Sequence, residues 1–189
     1  MNFKEGKIID RFVVKKKGKQ MEILIRFPRK NDAFAIWKYY NKAIRETTNL
    51  SRITPISLKE EKKWITNLLK DLKNKDGIYL FAEHDGSIVG TCTVNRCVRE
   101  TNKHIADFGI AILQDYTGCG IGSRMIEHAI RLSKNILKVE LLELSYHDDN
   151  KGAGNLYRKF GFVVAGKIPR AIKHGRKYMD RIIMYKILR

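Results

Sequence analysis

The stretch Gly109-Ile110-Ala111-Ile112-Leu113-Gln114-Asp115-Tyr116-Thr117-Gly118-Cys119-Gly120-Ile121-Gly122-Ser123 constrains this chain more than any other. An apolar run passes into three alternating glycines, and an amphipathic run begins among them. Glycine lets backbone adopt angles that side chains forbid and lets it approach a ligand closely. The N–H groups freed at a helix start point toward an anion, and the helix dipole favours one there. A pyrophosphate is the natural guest. A Rossmann fingerprint is not complete, because Ser123 stands at its last glycine position counted from Gly118, and no Gly-Lys-Ser/Thr of a Walker loop is present. By itself the stretch also fits a plain turn before a helix.

The hydrophobic pattern around the loop predicts an α+β fold. Residues 8–15 and 20–27 read as a strand pair turning at Lys16-Lys17-Gly18-Lys19. Asn31-Asp32 offers an N-cap for a helix reaching about residue 47, and Ser57-Leu58-Lys59-Glu60 is a capping box for a second. Residues 48–56 join them as a loop. Ile78–Glu83 and Ser87–Cys97 form a hairpin about Asp85-Gly86. Then follow a strand at Ile105–Leu113, a helix at 120–136, a strand at Val139–Ser145 and a helix at Asn150–Phe160. A strand from Gly161 and one at Tyr178–Leu188 complete the order β-β-α-α-β-β-β-α-β-α-β-β. That order is not the alternation of a doubly wound sheet.

Composition narrows the class. A length of 189 residues predicts one domain over 1–189, and 43% hydrophobic residues exclude a disordered chain. No apolar run reaches the roughly 20 residues needed to span a bilayer, and Met1–Gly6 lacks the pattern of a secretory signal, so the expected location is the cytoplasm without membrane attachment. Cys92, Cys97 and Cys119 suit neither a disulfide framework nor a metal site. The net charge of +18 favours anionic ligands in general. It is spread along the chain without a Lys/Arg block, so nucleic acid is an admissible partner and not the favoured one.

A second motif lies downstream: Asn150-Lys151-Gly152-Ala153-Gly154-Asn155-Leu156-Tyr157-Arg158-Lys159-Phe160-Gly161-Phe162. It resembles the Asn-x-x-Ala-x-x-Leu-Tyr-x-x-x-Gly-Phe helix of the GNAT superfamily of N-acetyltransferases. The glycine loop is similar to that family's Gln/Arg-x-x-Gly-x-Gly/Ala junction, with Thr117 in place of the long donor and Gly120 and Gly122 matching. The tail Gly175–Asp180 with Met184 is similar to the end of members that acetylate small amines, and the resemblance covers roughly residues 78–189. It implies a mixed, mostly antiparallel central sheet flanked by about four helices. It also implies an acetyl-CoA-dependent enzyme that needs no metal.

By the same resemblance, the acetyl-CoA site comprises Ile110, Ala111 and Ile112 along the pantetheine arm, Thr117, Gly118, Cys119, Gly120, Ile121, Gly122 and Ser123 at the pyrophosphate, and Asn150 and Tyr157 beyond. Tyr157 is the implied acid for the leaving thiolate. Asp107 is the candidate base, with His104, His147, Asp148 and Asp149 as rivals that read more simply as solvated strand-end residues. The reaction is direct attack by a neutral amine, so no nucleophilic triad is required. Trp37, Tyr39, Tyr40, Arg45, Arg52 and Trp64, on the two helices and their loop, would form much of the acceptor wall. That mixture suits a carboxylate-bearing acceptor such as an amino acid over a polyamine, while helix-core packing explains the aromatics at least as well. Two alternatives stand beside it: a protein N-terminus or lysine as acceptor, in the manner of ribosomal-protein acetyltransferases, and a basic scaffold that binds nucleic acid. A homodimer is compatible with each.

Overall fold

The computed structural model describes residues 3–188. Twelve elements follow the predicted order: β1 (Ile8–Lys16), β2 (Lys19–Arg26), α1 (Ala33–Glu46), α2 (Leu58–Asn74), β3 (Gly77–His84), β4 (Ser87–Arg96), β5 (Ile105–Ile112), α3 (Ile121–Leu132), β6 (Leu141–His147), α4 (Lys151–Lys159), β7 (Val163–His174) and β8 (Lys177–Ile187). The strands form one eight-stranded sheet ordered β1-β2-β3-β4-β5-β6-β8-β7. Every neighbouring pair is antiparallel except β5 and β6.

Strand alternation assigns the helices to opposite faces. Trp64 of α2 stacks on Phe81 with ring centroids 6.3 Å apart and meets Tyr79 edge-on, so the odd positions of β3 look toward α1 and α2. The register carries that face through Thr91 and Thr93 of β4 to Gly109 and Asp107 of β5. The even positions, including Ile110 and Ile112, look toward α3 and α4. A Cβ on Gly122 would lie 3.2 Å from a methyl of Leu156 and 3.3 Å from one of Ile112, so this glycine permits close contact among α3, α4 and β5.

Two expectations are corrected. Asp32 precedes α1 but makes no side-chain cap. Its buried carboxylate instead takes the guanidinium of Arg26 in a two-pronged pair at 2.7 and 2.8 Å, and Arg26 Nε reaches Glu83 at 2.6 Å. Hydrogen bonds and opposite charge reward the buried site more than a cap would. The sixth strand begins two residues later than Val139. A wide helical turn at Ser133–Leu137 extends α3, and Lys138 adopts a left-handed φ of 56° before the chain enters the sheet. The predicted capping box at Ser57 and Glu60 is present, with both reciprocal bonds formed.

Candidate active site

The site grows from the single parallel junction. β5 and β6 pair only at Ile105↔Leu141, Ala106↔Leu142 and Asp107↔Glu143. Beyond Asp107 the strands part, and β5 continues against β4 alone to Ile112. The hydrogen bonds from Leu113 N to Val89 O and from Cys97 N to Ile105 O fix the alternation of that ladder. Asp107, Gly109 and Ala111 therefore direct their peptide groups to β4, whereas Phe108, Ile110 and Ile112 direct theirs into the gap. Ile110 and Ile112 thus present their peptide groups to the open edge. Ala111 does not: its carbonyl faces β4 and also accepts the buried Tyr39 hydroxyl at 2.7 Å.

The glycine loop closes one end of this gap. Gly118 and Gly120 have φ of 74° and 95°, and added Cβ atoms at either would meet open space, so backbone conformation alone demands glycine there. Gly120 is the N-cap of α3, and no side chain caps the helix. The first N–H groups of the helix are consequently available to an anion. Ile121 is fully buried and can offer only its peptide, while Ser123 is half-buried on the first turn. Thr117 turns its hydroxyl back to Gln114 O at 2.9 Å, and Cys119 donates to Tyr116 O at 3.1 Å. Both side chains bond within the loop and shape it.

Lys16, at the end of β1, was not foreseen as part of this region. Its ammonium donates to the carbonyls of Gln114 and Thr117 at 3.0 and 2.7 Å, which brings a cation against the loop from about a hundred residues away. A hairpin lysine carries no sequence signal for such a contact. Arg124, on the first turn of α3, lies over the Phe12 ring and beside Asp10.

The other end of the gap is aromatic. Tyr157 of α4 is buried and meets Phe108 edge-on, with Tyr146 and Phe162 tilted against it. Burial, reinforced by Cys92, Tyr146 and Asp107, pushes its phenol well above the ordinary tyrosine range. The hydroxyl is therefore protonated across the physiological range. Asn150 caps α4, accepting from Ala153 N at 3.2 Å, which leaves its amide N–H₂ uncommitted among the described residues.

Asp107 lies on the opposite face of the same gap. It is exposed to solvent yet crowded by the strands; burial and the neighbouring Glu143 push its carboxyl up to about 6. Of the rivals, His104 is exposed, whereas His147 is buried with Nδ1 unpartnered, against its expected solvation. Burial holds His147 below the usual histidine range. Asp148 accepts from Asp180 N and Asp149 pairs with Lys177, so both serve the turn.

The expected acceptor wall divides. Trp64 and Tyr39 belong to the core, and Trp37 anchors the loop by donating to Ile56 O at 2.8 Å. Arg52 pairs with Glu60 at 3.0 Å, and Arg45 is exposed. These side chains do not converge as one basic and aromatic surface. Glu61, buried beside Tyr40, has its carboxyl pushed up to about 7 by burial. Among the described residues no cluster of His, Cys, Asp or Glu could hold a metal ion, and no helix is long and apolar enough to cross a membrane.

A profile of the Acetyltransferase (GNAT) family matches residues 38–162, which spans α1 through α4 and both ends of the gap. The chain belongs to the GNAT family of acetyltransferases. A GNAT relative, the L-amino acid N-acetyltransferase AaaT of Escherichia coli K12, is 31% identical over 117 residues, covering 61% of this chain and 72% of that one. Among GNAT-fold structures, the ribosomal-protein-alanine N-acetyltransferase of Brucella melitensis has a TM-score of 0.79 at 25% identity, covering 87% of this chain and 99% of that one. The yncA protein of Salmonella typhimurium, solved with its cofactor acetyl-CoA, shares the fold with a TM-score of 0.78 at 17% identity, covering 88% and 94% of the two chains.

Proposed function

We propose that this enzyme moves the acetyl group of acetyl-CoA directly to a primary amine, the acceptor being a small amine or an amino acid. One observation carries the mechanism: the parted strands leave the peptide edge of Phe108, Ile110 and Ile112 open, with Tyr157 on one face of the sheet and Asp107 on the other. Pantetheine pairs with that edge, and the pyrophosphate lies on the N–H groups of Gly120, Ile121, Gly122 and Ser123. Asn150 offers its amide to the pantetheine.

The amine arrives as an ammonium. Asp107, as carboxylate, takes one proton and passes it to solvent, and the neutral nitrogen forms a bond to the thioester carbon. A peptide N–H of the open edge, at Phe108 or Ile110, donates to the developing oxyanion. The C–S bond then breaks, and Tyr157 protonates the departing sulfur. The proton lost from nitrogen restores Tyr157, so each turnover yields the amide, CoA thiol and one released proton. The raised pKa of Tyr157 keeps the acid charged with its proton, and the raised pKa of Asp107 makes it a more competent base than an ordinary aspartate. The similarity to AaaT supports an amino acid as acceptor.

The test is CoA release from acetyl-CoA with a panel of amino acids, polyamines and peptides with free N-termini. Turnover with the first two groups and not with peptides is expected. Turnover confined to peptides would replace the small acceptor by a protein N-terminus, and none at all, without acetyl-CoA binding, would remove the proposal. Because Asp107 must be ionised, kcat/KM should fall as pH drops through about 6.

A further inference from the structure

The chain has 38 Lys and Arg against 20 Asp and Glu, yet two carboxylates stand side by side at the gap without a cation. Asp107 and Glu143 are cross-strand partners at the last parallel pair before β5 and β6 part. Both point to the face of α1 and α2, and neither forms an ion pair among the described residues. Like charges directly opposite one another destabilise a sheet. With cations in nearly twofold excess, one nearby Lys or Arg would remove that cost. A local rule broken without a compensating contact marks places where function is built, and here the breach sits where an ammonium must arrive.

We propose that Glu143 is a positioning residue for the acetyl transfer: its charge, held against Asp107, draws the acceptor's ammonium to the gap and keeps Asp107 basic enough to deprotonate it. The inference rests on the reading of Asp107 as base. The groups around the pair are consistent with that work. Glu143 faces Asp107 from β6, Tyr185 lies opposite Glu143 on β8, the Cys97 thiol approaches Glu143 at 3.9 Å from the end of β4, and the Tyr157 phenol senses Asp107 from α4. Tyr79 donates to Asn95 Oδ1 at 2.6 Å, and Asn95 is the β4 residue opposite Asp107. All of these groups are neutral or anionic. The ammonium therefore completes the local charge balance that the protein leaves open, and it does so only while the acceptor is bound. The overall charge of +18 would otherwise disfavour the approach of a cationic amine.

Crowding by the strands and Glu143 act in the same direction on Asp107, so removing the Glu143 charge must lower its pKa toward the ordinary aspartate value. Glu143→Gln keeps shape and removes charge. Carboxyl-carbon NMR titration of Asp107 in the wild type and in Glu143→Gln, run beside the pH dependence of kcat/KM, reads both halves of the proposal. The Asp107 pKa should fall by on the order of half to one unit, and the acid limb of kcat/KM should move down by the same amount. KM for the amine should rise several-fold while acetyl-CoA affinity is unchanged. An Asp107 titration identical in the two proteins overturns the pair, whatever the rates do. A titration that moves while the acid limb stays fixed instead removes Asp107 as base, and the catalytic role of Glu143 falls with it.

Discussion

The proposed cofactor half and the proposed acceptor half of the cleft are built on different plans. From Ile105 to Ser123 the chain runs through strand, glycine loop and helix without interruption, and what it presents is backbone: an open strand edge and the first peptides of α3. The acceptor half, as proposed, draws instead on side chains, Asp107 of β5 and Glu143 of β6 at the last parallel pair. A backbone site tolerates change in its side chains provided the conformation survives. A side-chain site depends on single functional groups. Substitutions on the acceptor side should therefore alter rate and pH dependence, and those on the cofactor side should alter affinity.

The largest effect is expected at Asp107. Asp107→Asn keeps the shape and removes the proposed base, so turnover near neutral pH should fall by about 10²–10⁴-fold, with acetyl-CoA affinity intact by direct titration. A loss of affinity instead would join the two halves that the geometry separates. Tyr157→Phe keeps the aromatic packing with Phe108, Tyr146 and Phe162 and removes only the proposed acid. Its kcat should drop by about 10²-fold, measured at saturating substrates, again with little change in cofactor binding. Gly120→Ala tests the other half. With φ at 95°, a side chain costs about 1–2 kcal/mol, so the acetyl-CoA Kd should rise by about tenfold while kcat at saturation is nearly kept. The smallest effect belongs to Lys16→Met, which releases the tether to Gln114 and Thr117. KM for acetyl-CoA should rise by about two- to fivefold, and the rate at saturation should not change.

The same division explains what could be read from the residues alone. Glycines that need left-handed angles, a strand running into a helix start and the Asn150-to-Phe162 helix are local patterns, so the loop conformation was legible and these elements lie in the expected order. Ala111 was assigned to the wrong edge because which peptides face the gap depends on ladder phase, set by Leu113 against Val89 and invisible before pairing is known. Asp32 looked like a cap because nothing near it announces Arg26 and the pairing of β2 with β3 that brings Glu83 alongside. Glu143 is the clearest case. Its proposed role comes from lying opposite Asp107 across a parallel junction, and one residue of register shift would turn it to the other face. The presumed wall of Trp37, Arg52 and Trp64 went astray for the opposite reason: their chemistry suits an amino acid, but core packing and loop anchoring claim them first.

In the proposed mechanism acetyl passes directly from CoA to the amine across the gap, with both bound together and no acyl-enzyme between. Initial velocities measured over a grid of acetyl-CoA and acceptor concentrations test this most directly. Intersecting double-reciprocal lines, with no increase in protein mass after incubation with acetyl-CoA alone, are the predicted result. Parallel lines accompanied by a stoichiometric acetylated protein would contradict it.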